Sequence, residues 1–436
     1  MKPSLGRKLL LGEYSLLWRA ARPVLRRHKR LRDDFSLRLV PGEWGPGKPV
    51  DIWIQAASGG EAFLARRLLE AVNGLVAAER RHPPRVLCTS CTRQGLDVLH
   101  AAASHAKTAW PSLDVTVRVF PLDQPKLMQR AVDLASPRAV VLLETELWPG
   151  LMAACAEKAV PMLVVNGRMT EKSYSGYRWF GPLWRQVAPE RILAMSDPDG
   201  ARFAALFGYD RVAVMPNMKF DAVPGTLPAL SPHSPAATLL PEGLPVILLA
   251  SVREEEEPLL GPVIKKLRSL APDAAIVVAP RHMERVDAWK ALPEAPVALR
   301  SALGRENGAA SPGHVVVWDA FGELTALYAR ANAVFVGGSL APLGGQNFLE
   351  PAGQGRVPVI GPHWKNFAWV GEEFFTAGLA VRVENAEELA SALIDKLRNA
   401  LDPVLVRERL AAYVDPRRGG TLLAAEAVWE TLEKSR

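Results

Sequence analysis

The sequence predicts an α/β protein of two doubly wound units, each a parallel sheet with helices on both faces. Three observations carry that expectation. The chain has 436 residues, too many for one ordinary core and suited to two units of roughly 200 residues each. Short apolar runs alternate with helical patterns along it, as strand–helix–strand units require. The alternation breaks between Ala222 and Pro245, where Pro, Ser and Ala crowd a stretch with neither period.

The first 32 residues hold ten Lys or Arg and one acid, Glu13, interleaved with Leu9, Leu10, Leu11, Tyr14, Leu16, Leu17, Trp18, Val24 and Leu25. The apolar runs are too short for a membrane span or a secretory signal. The pattern suits a basic amphipathic segment lying on anionic lipid. It suits equally a basic surface helix packed on its own unit. The strands expected in the first half are Asp51–Ile54, Arg85–Thr89, Val115–Phe120, Ala139–Leu143, Pro161–Val165 and Arg191–Met195. After Ile54, the spacing of Leu64, Leu68, Leu69, Val72, Leu75 and Val76 predicts an amphipathic helix. In the second half the expected strands are Pro245–Ala250, Ala275–Ala279, Val315–Trp318, Ala333–Val336 and Val357–Ile360. The organisation expected is a membrane-associating segment over 1–35, a first unit over 36–222, a linker over 223–244 and a second unit over 245–436. A deep cleft between the units is the natural ligand site.

A hydrophobic content of 49% is enough for both cores, and a net charge of +7 points to an acidic partner such as anionic lipid, nucleotide phosphate or nucleic acid. The three cysteines build no disulfide framework. Cys88 and Cys91 form a Cys-x-x-Cys pair, but no second pair completes a zinc site.

The chemistry-bearing segments sit just after strands, where open α/β sheets bind ligands. Ala57-Ser58-Gly59-Gly60-Glu61 places a carboxylate at the first turn of a helix. There it can be a general base, or simply a complement to the helix dipole. Glu144-Thr145-Glu146-Leu147-Trp148-Pro149 follows the fourth strand, with the proline suited to the first turn of a helix. Two carboxylates flanking a threonine are costly to bury without partners. Asn166-Gly167-Arg168 and Asn217-Met218-Lys219-Phe220-Asp221 follow in the same unit. Pro280-Arg281-His282 and the run from Gly337 to Pro351 lie in the second. The glycines of that run let backbone N–H groups face a phosphate. Arg281 and Lys219 add positive charge, and Glu350 can accept from ribose hydroxyls. A dinucleotide fingerprint is not the explanation: Gly353-Gln354-Gly355 precedes a strand instead of opening a helix.

Over about residues 50 to 435 the chain resembles the 3-deoxy-D-manno-octulosonic acid (Kdo) transferases of lipopolysaccharide synthesis. The Glu-Thr-Glu-Leu-Trp-Pro and Gly-Gly-Ser…Asn-x-Leu-Glu segments carry the resemblance. It implies a GT-B fold, two Rossmann-like domains facing each other across a cleft. It implies inverting transfer of Kdo from CMP-Kdo to a lipid A precursor, with no metal or other cofactor, no nucleic-acid partner, and a peripheral or monotopic place on the cytoplasmic face of the inner membrane. By motif, Glu61 matches the family's general base, and Glu144 and Lys219 match residues that stabilise the transition state. Pro280, Arg281, Phe321, Gly322, Glu323, Asn347, Phe348, Leu349 and Glu350 match the CMP contacts. Ser58, Gly60, Arg168, Gly338 and Ser339 are further candidates for acceptor or donor-loop contacts. The sequence departs from the family at Gly59, usually larger, at Gln346, usually His, and at Ser251-Val252-Arg253-Glu254-Glu255. Two alternatives stay open: a transferase for another acidic sugar or acceptor, and a non-catalytic relative that binds sugar nucleotide or lipid.

Overall fold

The structure is a computed structural model that describes residues 5–28, 31–78, 82–110, 112–145, 147–223, 230–291, 297–304 and 308–435. It divides into two compact units: residues 1–222 with 417–436, and residues 223–416.

The first unit is built on seven parallel strands: β1 (Ile52–Gln55), β2 (Arg85–Ser90), β3 (Asp114–Val119), β4 (Ala139–Leu143), β5 (Met162–Gly167), β6 (Arg191–Ala194) and β7 (Val212–Val214). Their order is β3-β2-β1-β4-β5-β6-β7. The chain steps outward from β1 to β3, then returns to β4 on the other side of β1. The strand order therefore reverses between β1 and β4, the point where such sheets place ligands. Side chains alternate across the sheet, as the pleat requires. Ile52 and Ile54 pack into one core with the long helix α2 (Gly59–Ala78). Trp53 faces the opposite core with Trp44, Phe120, Met128 and Leu151.

The second unit repeats the plan with β8 (Val246–Val252), β9 (Ala275–Pro280), β10 (Val297–Leu299), β11 (Val315–Val317), β12 (Ala333–Val336), β13 (Val359–Ile360) and β14 (Val381–Arg382). The order is β10-β11-β9-β8-β12-β13-β14, all parallel, so the reversal falls between β8 and β12.

Three strands escape the sequence reading: β7, β10 and β14. Each is an edge strand of two or three residues. Val214 is exposed and Val297 to Leu299 only half-buried, so no long apolar run marks them. The domain limits also differ at the C terminus. Residues 417–436 return to the first unit, although sequence order places them in the second. The helix Gly420–Lys434 buries Ala424, Ala425, Val428 and Leu432 in the core shared by β1, β4 and α2. The Asp221 carboxylate holds its start, accepting from Gly419 N (2.8 Å) and Thr421 N (2.7 Å). A Cβ on Gly420 would stand 2.1 Å from the Pro216 carbonyl oxygen, so only glycine permits this approach.

The stretch expected as linker is also partly structured. Residues 224–229 lie outside the described residues. Beyond them the helix Pro235–Leu239 opens on Ser234, whose Oγ accepts from Ala237 N at 3.3 Å. Ala236 and Leu240 are fully buried, and the Arg330 guanidinium donates to the Leu240, Pro241 and Leu244 carbonyls. This segment is bound to the second unit.

The N-terminal residues form a helix, α1 (Leu5–Arg27), that is docked on one side and bare on the other. Leu10 and Leu11 pack on the first unit's core. The buried Arg7 donates to the Ala153 carbonyl at 2.8 Å, and Tyr14 Oη donates to the buried Asp123 carboxylate at 3.0 Å. Asp123 also accepts from Gly150 N and Leu151 N, at 2.8 Å each. Burial still pushes its carboxyl up to about 7. On the other side Leu9, Leu16, Leu17 and Val24 are exposed, each above 60%. Among the described residues no helix is long and apolar enough to cross a membrane.

Candidate functional site

At the reversal point of the first unit, β1 and β4 end side by side. The turn after β1 runs into α2 through Ser58, Gly59, Gly60 and Glu61. Glu61 Oε2 accepts from Ala57 N at 2.6 Å, Ser58 Oγ donates to Glu61 Oε1 at 3.0 Å, and Glu61 N reaches Ser58 Oγ at 3.4 Å. This is close to a capping box, a Ser and a Glu three residues on that satisfy the first N–H groups of a helix. The dipole reading of Glu61 is thus incomplete, because the carboxylate is held at a fixed place by named donors. Burial raises the Glu61 pKa, the bonds from Ala57 and Ser58 oppose that, and the nearby Glu144 charge raises it further. A Cβ on Gly60 would meet only Ser58 Oγ, at 3.9 Å, so the backbone there is open to approach.

Glu144 stands at the end of β4 with φ +55°, the left-handed region that few non-glycine residues adopt. Its carboxylate faces Lys219, with Nζ 2.5 Å from Oε1, both side chains largely buried. Glu146 lies outside the described residues. Thr145 Oγ1 donates to the Arg168 carbonyl. The Arg168 guanidinium, half-buried, makes no ion pair among the described residues.

Lys219 is delivered by a turn that sequence reasoning did not connect to β5. Asn166, fully buried and also left-handed at φ +53°, accepts from Met218 N at 2.9 Å. Asn217 Oδ1 accepts from Lys219 N at 3.0 Å. The signal was available: Asn-Gly-Arg at a strand end and Asn-Met-Lys further on each carry an amide able to close a turn. What no sequence pattern says is that one amide serves the other segment.

In the second unit Arg281 follows β9 and is exposed. Its charge lowers the pKa of Glu350, while burial, the larger effect, raises it. Asn347 Nδ2 donates to Glu350 Oε1 at 2.9 Å. Tyr328, 1% exposed, joins the same cluster. Burial holds its phenol well above the usual range, Glu350 adds to the shift, and a hydrogen bond with Ser251 and the Arg281 charge oppose it. Gln346 Nε2 donates to the Ser251 carbonyl at 2.6 Å, with Ser251 left-handed at φ +53°. Guanidinium, carboxamide and carboxylate together suit an anion beside hydroxyl groups. Tyr328 lies in the helix Leu324–Arg330 with no motif to mark it.

Several expected contacts have other work here. Phe348 is fully buried among Trp364, Phe367, Phe374 and Phe375, and Leu349 is buried beside it. Pro280 is a buried strand end. The Glu323 carboxylate takes a two-pronged bond from Arg300 (2.6 and 3.1 Å) and another from Trp318 Nε1 (2.8 Å). Phe321 and Gly322 beside it are exposed.

The largest correction concerns the glycine-rich loop after β12. The glycines of this run are expected to let backbone N–H groups face a phosphate, with Gly338 and Ser339 as candidate acceptor or donor-loop contacts. The N–H groups of Gly338, Ser339 and Leu340 donate instead to the buried Glu256 carboxylate, at 2.6, 3.1 and 2.9 Å. Ser339 Oγ is spent on the Val336 carbonyl and on Gly361 N. Among the described residues no three His, Cys, Asp or Glu side chains gather as a metal site.

Residues 22–222 match the family described as 3-Deoxy-D-manno-octulosonic-acid transferase (kdotransferase). A 3-deoxy-D-manno-octulosonic acid transferase of Bordetella pertussis is 29% identical over 97% of this chain and 99% of its own length. One of Haemophilus influenzae is 26% identical over 83% of this chain and 82% of its own. Among solved structures, Anabaena HepE in complex with UDP aligns over 88% of this chain and all of its own, with a TM-score of 0.52 and 14% identity. The glycotransferase of kitacinnamycin covers 88% of this chain and 99% of its own, with a TM-score of 0.51 and 15% identity. Two seven-stranded parallel units with chemistry-bearing residues at their reversal points have the GT-B fold. Within that fold, the match of residues 22–222 and the similarity over nearly the whole chain are both to Kdo transferases.

Proposed function

We propose that this protein transfers Kdo from CMP-Kdo to a lipid A precursor, with inversion at the anomeric carbon. The observation that carries the reading is the meeting of Glu61, Glu144 and Lys219 at one reversal point. The acceptor hydroxyl is a weak nucleophile at neutral pH. Glu61 takes its proton as the oxygen attacks the anomeric carbon. The bond from that carbon to the phosphate oxygen of CMP breaks, and its electron pair leaves on CMP. A single displacement inverts the centre and needs no covalent sugar–enzyme intermediate. Lys219, with Glu144 fixing its ammonium, offsets negative charge in the transition state. Ser58, Gly60 and Arg168 serve the acceptor. Arg281 meets the CMP phosphate, Asn347 and Glu350 meet ribose hydroxyls, and the exposed Phe321 ring offers a face for the base. Purified protein with CMP-Kdo and a tetra-acylated lipid A precursor, read by mass spectrometry, tests this. Binding of CMP without sugar transfer would favour the non-catalytic alternative.

The same reading places the protein on the cytoplasmic face of the inner membrane. Its support is the bare side of α1, together with exposed Trp179 and Phe180 on the same unit and the +7 net charge. Because α1 is also packed on its unit, deleting it would confound the test. Replacing exposed Arg19, Arg26 and Arg27 by Gln leaves the packed side intact. At about 1 kcal/mol for each cation near an anionic surface, the triple variant should float with anionic vesicles roughly a hundredfold more weakly. The difference should shrink as salt shortens the screening length. Equal flotation of the two proteins would sink the membrane reading.

A further inference from the structure

We infer that Glu256 makes the second unit reject nucleotides that carry a second phosphate. Successive backbone N–H groups in a glycine-rich loop at the end of a parallel strand form a concavity that binds anions. Here that concavity is filled from within. Glu256 Oε2 accepts from Gly338 N at 2.6 Å and from Arg253 N at 3.1 Å, and Oε1 accepts from Ser339 N at 3.1 Å and Leu340 N at 2.9 Å. The carboxylate is fully buried, and four N–H donors satisfy it.

The topology explains why this side chain reaches that loop. Glu256 follows β8 and the loop follows β12, the paired strands between which the order reverses. Gly338 can join because it is left-handed at φ +69°, where a side chain would be strained and its Cβ would press Gln346 at 3.0 Å. Nearby cations are already engaged. Arg285 binds Glu257 at 2.5 and 3.0 Å and lies 3.3 Å from Glu254, and Arg253 lies 3.7 Å from Glu255.

A nucleoside monophosphate needs one cationic contact, which the exposed Arg281 can supply. A diphosphate brings a further anion. It finds the loop donors taken and a carboxylate in their midst, so the added charge is repelled. Charge alone would give the opposite ranking, because a chain of net charge +7 should hold the more anionic diphosphate more tightly.

The inference rests on the cytidine nucleotide reading above, and one titration separates the two. Calorimetry of the full chain with CMP and with CDP should show CDP binding at least about tenfold more weakly, a difference of 1.4 kcal/mol. In Glu256→Gln, which removes the charge at similar volume, the gap should narrow to about threefold or less. CDP binding as tightly as CMP in the natural protein would overturn the inference, whether or not the variant folds. An unchanged gap in a folded Glu256→Gln would overturn the assignment to this residue. Binding of neither nucleotide would overturn the donor reading itself, and this inference with it.

Discussion

The two sheets reverse their strand order in the same way and use the reversal for opposite ends. At β1/β4 in the first unit, the carboxylates are held but not exhausted. Glu61 takes two donors from its own helix cap and lies near a second acid, and Glu144 meets the Lys219 ammonium. At β8/β12 in the second unit, Glu256 is saturated by four backbone N–H groups, and the groups proposed to meet the nucleotide are Arg281, Asn347 and Glu350. A buried carboxylate with every lone pair answered stiffens a loop. One left partly answered beside a like charge is poised to take a proton.

The sharpest way to break this contrast is Glu61→Gln. Glutamine still suits the third position of a capping box, so the helix start should survive and thermal stability should stay within about 1 kcal/mol. Turnover should fall by roughly 10²–10⁴-fold, because the proton acceptor is gone. CMP affinity, which the proposed function assigns to the second unit, should be unchanged. Transfer at the natural rate by this variant would reduce Glu61 to a cap.

Arg281→Ala probes the other side. It should weaken CMP binding by roughly 1.5–3 kcal/mol, the range for a hydrogen bond to a charged group, with little change in melting temperature. Unchanged affinity in calorimetry would move the phosphate site away from β9.

The smallest effect is on pH dependence. A base works ionised, so activity should be present above the Glu61 pKa and fall as the pH drops through it. Because that pKa is raised by burial and by Glu144, the acid limb of kcat/KM should lie above the ordinary carboxylate range. Glu144→Gln removes the like charge, so the acid limb of its remaining activity should move to lower pH. A limb that stays in place would mean the two acids do not sense each other. For folding the sign is reversed. The folded state holds the Glu61 proton more tightly than the unfolded chain, so this group favours folding more as pH falls from above the folded value toward the unfolded one.

Much of the plan was legible because it is written in local patterns. Eleven of the strands were readable as apolar runs, since a strand covered on both faces must be apolar along its length. Glu61, Glu144 and Arg281 could be singled out because each sits just past such a run. The edge strands β7, β10 and β14 were not readable, because two or three residues without full burial leave no pattern. Phe348 and Leu349 show the limit of a motif: it marks a segment, while packing decides which of its side chains face a ligand.

The sequence by itself determined the strand–helix alternation, the positions of the strand-end turns and the residue types offered there, since these follow from periodicity and turn chemistry over a few residues. Tertiary structure decided which offers were accepted. It sent the last helix back to the first unit, because that is where its Ala and Leu face finds cover. It tied Asn166 to the turn carrying Lys219 across 52 residues, and Glu256 to the glycine loop across 82. A donor and an acceptor that far apart in the chain carry no shared period. Only the order of strands in a sheet brings them within 3 Å.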